Sequence, residues 1–154
     1  MLRHMLDTNL CIRLLRDRPQ GLRKRFNDEA SGLCISSIAL YELLYGAAKS
    51  SRPEQNRDEV EKLAERMEVL ELDAAAAAHA GDIRADLERR GCVIGAYDLL
   101  IAGHARSRGL IVVTGNLGEF ERVDGLRCED WLGAYPARAT NIDKPSLSLW
   151  PQLL

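Results

Sequence analysis

Short apolar runs alternate with longer amphipathic stretches along this chain. Met5-Leu6 is the first such run, and it ends at Asp7. Leu10 to Leu15 has helical spacing and stops ahead of Pro19, which disfavours helix in the residue before it. Leu22 to Phe26 predicts a further helical turn, and Leu33 to Ser36 a buried strand. Ser36 or Ser37 suits the N-cap of the helix that follows. Pro53 opens another helix. Its apolar positions Val60, Leu63, Ala64 and Met67 follow the i, i+3, i+4, i+7 rule, leaving a strongly charged opposite face. Val69 to Leu72 predicts a strand. Asp73 caps an alanine-rich helix, and Gly91 stands where a C′ glycine belongs. A last long helix begins at Asp98 and ends at Gly109. Leu110 to Val113 is the clearest buried strand, and Thr114-Gly115-Asn116 follows it.

Helices alternating with buried strands predict an α/β fold with a central, mostly parallel sheet flanked by helices. Sites in such sheets form at the C-terminal ends of strands. Asp7 and Thr114-Gly115-Asn116 both occupy such ends, so folding is expected to bring them together. The domain is expected to span residues 1–132. The tail 133–154 contains Pro136, Pro145 and Pro151, shows no periodicity, and leaves its order open.

Composition narrows the class. With 154 residues, 46% apolar and 29% charged, the chain has the length and balance of one soluble domain. The net charge of -2 excludes general attraction to nucleic acid, so any such binding must come from local patches. Arg13, Arg16, Arg18, Arg23, Lys24 and Arg25 form one basic cluster, and Arg106 and Arg108 flank a later helix end. The cysteines Cys11, Cys34, Cys92 and Cys128 form no C-x-x-C pair, and three of them have apolar neighbours, as expected of reduced thiols in a cytoplasmic protein. The first apolar run is broken by Arg3, His4 and Asp7, unlike a signal peptide, and no apolar run is long enough for a membrane span.

The chemistry resides in three isolated acids. Asp7 closes an apolar run, Glu42 is the one charge between Ser37 and Ala48, and Asp98 is the one carboxylate between Gly91 and Ala105. A carboxylate in apolar surroundings is costly unless its charge is offset. No basic residue lies near these three in sequence, which points to a shared hard cation with oxygen ligands and to chemistry on a phosphate group. Singly, each acid has an ordinary alternative role: a helix cap, a solvent-facing glutamate, or an acid favoured by the helix dipole. His4, His79 and His104 lack metal-ligand spacing. His104 is six residues beyond Asp98, roughly 600° around the helix, and faces away from it. P-loop, dinucleotide and serine-elbow motifs are absent.

Four segments in order resemble the PIN-domain ribonucleases. These are Met5-Leu6-Asp7-Thr8-Asn9, the helix around Glu42 with Tyr45-Gly46, Ile94 to Ala102 around Asp98, and Val113 to Phe120. The resemblance covers Leu2 to about Leu132 and is nearest to VapC-type toxins of bacterial toxin–antitoxin pairs. The segment Ile101 to Gly109 resembles the enteric branch, whose members cut initiator tRNA in the anticodon loop. This resemblance implies a PIN-like three-layer fold and a metal-dependent endoribonuclease. It implies Mg²⁺, with Mn²⁺ as the alternative, held by Asp7, Glu42 and Asp98. It also implies a homodimer and a VapB-like antitoxin. Many members carry a fourth acid in the last motif. Asn116 stands there, with Glu119 three residues on, and both are further candidate ligands; an amide oxygen can accept but brings no charge. Thr8, Asn9 and Thr114 are expected to orient the carboxylates. Arg13, Arg16 and Arg23 are expected to meet RNA phosphates.

Three other readings are weighed. A haloacid-dehalogenase-like phosphatase wants a second Asp two residues after the first, where Asn9 stands. A receiver domain wants a late lysine that Leu110 to Phe120 lacks. An inactive PIN fold that only binds RNA or protein is at odds with intact Asp7, Glu42 and Asp98.

Overall fold

Five short strands lie side by side, all parallel, in a computed structural model that describes residues 1–132. The strands are β1 (His4–Leu6), β2 (Leu33–Ser36), β3 (Glu68–Leu70), β4 (Ile111–Val113) and β5 (Cys128–Glu129). The helices are α1 (Thr8–Arg16), α2 (Leu22–Asp28), α3 (Ser37–Ala48), α4 (Pro53–Glu65), α5 (Ala74–Arg89), α6 (Ala96–Ser107) and α7 (Leu117–Phe120), with a single 3-10 turn at Ala30–Gly32. Strand order across the sheet is β3-β2-β1-β4-β5. The chain therefore builds outward from β1 in one direction, then returns to build outward in the other. The reversal falls between β1 and β4, where Met5 pairs with Val112 and Leu6 with Val113. In parallel sheets this switch point leaves a crevice beyond the strand ends.

The strands are apolar because both faces are covered. Met5, Leu6, Cys34, Ile35, Val112 and Val113 are fully buried. Helix starts follow their caps. Asp7 accepts from Leu10 N–H at 2.8 Å, Ser36 from Ile38 N–H at 3.1 Å and Asp73 from Ala76 N–H at 2.9 Å. Pro53 occupies the first turn of α4, where its missing N–H costs nothing. Helices α5 and α6 touch backbone to backbone. A Cβ on Gly103 would lie 2.5 Å from Ala80 N and 2.6 Å from Ala80 Cα, so only glycine fits there.

Several elements differ from expectation. β3 starts at Glu68 and stops at Leu70, because Leu72 N–H leaves the ladder and donates to Ser37 Oγ at 3.2 Å. α6 starts at Ala96, since the Gly95 carbonyl already accepts from Leu99 N–H, which puts Asp98 inside the first turn. α7 and β5 are too short to leave a period in the sequence. Cys11 and Cys34 are buried, while Cys92 and Cys128 are half-buried; all four are free thiols. Among the described residues no helix is long and apolar enough to cross a membrane. The tail from Gly133 lies outside the described residues.

Candidate active site

Asp7 stands at the C-terminal end of β1, at the switch point. Its backbone N–H extends the β1–β4 ladder by donating to Val113 O at 3.1 Å. Its side chain is buried. Oδ1 caps α1, and Oδ2 accepts from the Thr114 hydroxyl at 2.5 Å. Thr114 also accepts from Asn116 N–H at 2.8 Å, which holds the turn after β4 against the end of β1. At the next residue, the first of α1, the Thr8 hydroxyl donates to Glu42 Oε1 at 2.6 Å. Glu42 projects from α3, whose cap Ser36 is held by the buried His104 (Nδ1 to Oγ 2.8 Å). His104 is thus a core residue facing away from Asp98, and it braces the helix that carries Glu42.

Asp98 comes from the first turn of α6, and Glu119 on α7 shares a hydrogen bond with it. This is the clearest departure from the expected motif. Asn116 supplies only its backbone, and its side chain bonds to no described residue. The fourth acid that joins the group is Glu119. A two-carboxyl hydrogen bond needs one proton between the partners, so Asp98 and Glu119 cannot both be ionised while it persists.

The site's electrostatics reflect this crowding. Burial lifts the Asp7 carboxyl to about 6; the Thr114 and Leu10 hydrogen bonds and nearby Arg13 pull it back, and Glu42 pushes it further up. Asp98 is lifted to about 8, first by burial, then by the hydrogen bond with Glu119 and by the charges of Asp7, Glu119 and Glu42. Burial also raises Glu42, and Thr8 partly offsets that rise. Four carboxyls from β1, α3, α6 and α7 therefore share one electrostatic field with too little positive charge in it. Hard oxygen donors in that condition fit a divalent cation such as Mg²⁺, which uses one or two carboxylates and keeps several waters. Among the described residues no three or more His, Cys, Asp or Glu side chains come close enough together to hold a metal ion as a closed cage.

The other expected residues divide. Asn9 is half-buried on α1, and its side chain bonds to no described residue. Arg13 reaches the site: its charge acts on Asp7, and its Nε lies 3.7 Å from where a Gly115 Cβ would be. Arg16 is half-buried beside it, with one guanidinium nitrogen (Nη2) lacking a hydrogen bond. Arg23 is committed elsewhere, donating to Leu14 O at 3.0 Å and Leu15 O at 2.7 Å at the end of α1. Sequence reasoning missed the tie between β1 and the end of the domain. There His4 Nε2 meets Glu129 Oε2 at 3.1 Å, the Trp131 indole donates to the same oxygen at 3.1 Å, and Arg25 lies over the Trp131 ring.

Residues 4–126 match the model of the PIN domain. The tRNA(fMet)-specific endonuclease VapC of Shigella flexneri is 56% identical over 131 residues, 85% of this chain and 99% of that protein. The chain belongs to the VapC family of PIN domains. Ribonuclease VapC2 of Haemophilus influenzae is 48% identical to this PIN domain over 132 residues, 86% of this chain and all of the other. The fold agrees with solved VapC structures. DNA-bound VapBC from Salmonella typhimurium superposes with a TM-score of 0.82 at 56% identity, over 85% of this chain and 99% of that one. VapBC2 from Rickettsia felis, bound to a promoter DNA fragment, gives 0.80 at 36% identity, over 84% and 99%. The PIN fold expected from the sequence motifs is therefore the fold observed.

Proposed function

We propose that this PIN domain is a metal-dependent endoribonuclease toxin that cuts initiator tRNA in the anticodon loop and is silenced by a VapB-like antitoxin. The observation that carries the reading is the group of Asp7, Glu42 and Asp98, three carboxyls lifted by burial at the switch point, with Glu119 hydrogen-bonded to Asp98. The 56% identity to tRNA(fMet)-specific VapC proteins supports the substrate, and the VapBC complexes of two relatives support the partner.

Asp7 and Asp98 would hold Mg²⁺ or Mn²⁺, with Glu42 as a further ligand or as the base that takes a proton from the attacking water. A bound divalent ion lowers the pKa of water and stabilises charge developing on the phosphate. Thr114 and Thr8 keep Asp7 and Glu42 aimed, because each donates to one oxygen and leaves the other lone pairs for the site. Glu119 shares a hydrogen bond with Asp98, and would give up the shared proton where a divalent ion were held there. Arg13, with Arg16 behind it, lies where a backbone phosphate approaching Asp7 would pass. An unpaired loop suits such a crevice better than a duplex, since its phosphates and bases are splayed outward. The toxin would act as a homodimer, and the antitoxin would present a cationic side chain, an arginine by its carboxylate-matching geometry, to the acids.

The test is cleavage of purified total tRNA by the purified chain with Mg²⁺, with product ends mapped and Asp98→Asn as the control. A single cut in the initiator tRNA anticodon loop is expected. Equal cutting of many tRNAs would remove the substrate assignment, and no cutting of any RNA would remove the activity.

A further inference from the structure

Three tyrosines stand exposed at the rim of the carboxyl group: Tyr41 at 51% exposure, Tyr45 at 52% and Tyr97 at 44%. Tyr41 directly precedes Glu42 on α3, and Tyr97 directly precedes Asp98 on α6. The two rings meet across the gap between these helices, with centroids 5.6 Å apart and planes at 57°. Their hydroxyls lie 3.4 Å apart. Tyr97 lies within electrostatic reach of Glu42 and of Tyr45, so all three rings border one region. Lys49 covers the Tyr45 ring at 4.9 Å and adds a cation to the border.

A lone exposed aromatic needs no explanation, but a contiguous cluster of exposed rings beside a site marks an interaction surface. These rings are too close for anything to enter between them, but their outer faces are open. Each ring is steadied by the other, which lowers the entropy lost when a flat group stacks on it. Flat, unpaired bases with phosphates alongside match open aromatic faces bordered by cations.

We propose that Tyr41 and Tyr97 form a stacking platform that receives an unpaired base of the RNA substrate next to the scissile phosphate. The platform rests on the ribonuclease reading. It grips through the π-face and so tolerates any base, which leaves sequence choice to other contacts.

The probe is a fluorescent, single-stranded RNA oligonucleotide with 2′-deoxy sugars flanking the cut position, titrated with the full chain in EDTA. Stacking on an aromatic ring is worth about a 5- to 100-fold change in Kd. Tyr41→Ala and Tyr97→Ala are each expected to weaken binding within that range and to raise KM more than they lower kcat. Tyr41→Phe and Tyr97→Phe keep the ring and should stay within about twofold of the parent. Leucine at either position keeps apolar bulk without a π-face and should behave like alanine. Circular dichroism verifies that the variants fold. Wild-type affinity in the alanine variants overturns the platform while leaving the ribonuclease standing. So does leucine rescue, or conversion of a dimer to monomer with RNA affinity unchanged, either of which assigns the rings to a contact between copies of the chain. If the unsubstituted chain neither binds nor cuts RNA, the ribonuclease reading fails and the platform with it.

Discussion

The Thr114 hydroxyl donates to Asp7 Oδ2 at 2.5 Å, across a sequence separation of 107 residues. That bond is one of the few influences holding the Asp7 carboxyl down against burial. Thr114→Val keeps the volume and removes the donor. The Asp7 carboxyl should rise further, so the acid limb of the cleavage pH profile should move to higher pH. Activity at neutral pH should fall about 10- to 100-fold, the usual effect of losing such an orienting partner. A profile that superposes on the parent's would show that Thr114 does not tune Asp7.

Without a cation, the folded chain should weaken as pH rises. Asp7 titrates near 3.8 when unfolded and near 6 when folded, and Asp98 is held up to about 8. The folded state therefore keeps protons that the unfolded chain has released. The associated stability is fully present below about pH 4 and is lost as pH climbs through the folded values. For Asp7 the loss is about 3 kcal/mol by linkage. Thermal melts in EDTA from pH 5 to 8 should show this decline, and Asp7→Asn should make it shallower while the Asp98 share remains.

Divalent cation should reverse that loss. A ligand that binds only the folded state raises its melting temperature. Mg²⁺ or Mn²⁺ should therefore stabilise the protein more at pH 8 than at pH 5, where protons compete for the same oxygens. Asp98→Asn and Glu119→Gln should both reduce the shift, whereas Asn116→Ala should not. An equal loss on removing the Asn116 amide would assign that side chain to the ion after all.

Gly103→Ala should cost about 1–3 kcal/mol, because the added methyl meets the backbone of Ala80 and cannot be moved aside like a flexible side chain. The same displacement of α6 would move Asp98, so kcat should fall by more than the stability loss explains. Denaturant melts and kinetics on one preparation separate the two effects.

Arg13 and Arg23 should part company. Arg13→Ala should weaken RNA binding and reduce its salt dependence, as expected on losing one phosphate contact. Arg23→Ala should instead lower stability by about 1 kcal/mol through the lost bonds to Leu14 and Leu15 carbonyls. Comparable salt slopes for the two variants would mean that Arg23 leaves its carbonyls to meet RNA.

Elements that carry a period or a cap were legible from residues alone. Asp7, Ser36 and Asp73 announce helices because each supplies an acceptor to an N–H three or fewer residues on. Asp7, Glu42 and Asp98 stand out because charge is costly among apolar neighbours. Strand order was not legible: nothing local says that β1 lies between β2 and β4. Glu119 was legible as a candidate ligand from its place in the last motif, but for the same reason its pairing with Asp98 was not. Asn116 occupies the expected motif position, but the α7 turn carries Glu119 to Asp98 instead. The end of β3 and the β5 strand depended on single hydrogen bonds of distant residues, which no window of sequence reports.

The central place of β1 sets a schedule for synthesis. As the chain leaves the ribosome, β1 can pair with β2 within about thirty residues, since domains assemble from the N-terminal side. Its other edge has no neighbour until β4 emerges, and only then does Asp7 acquire its Thr114 bond and approach the turn that carries Glu119. A partial translation product thus has Asp7, Glu42 and even Asp98 in hand without the strand that brings them to one place. The cell that makes this protein is exposed to its chemistry only after nearly the whole domain has been translated.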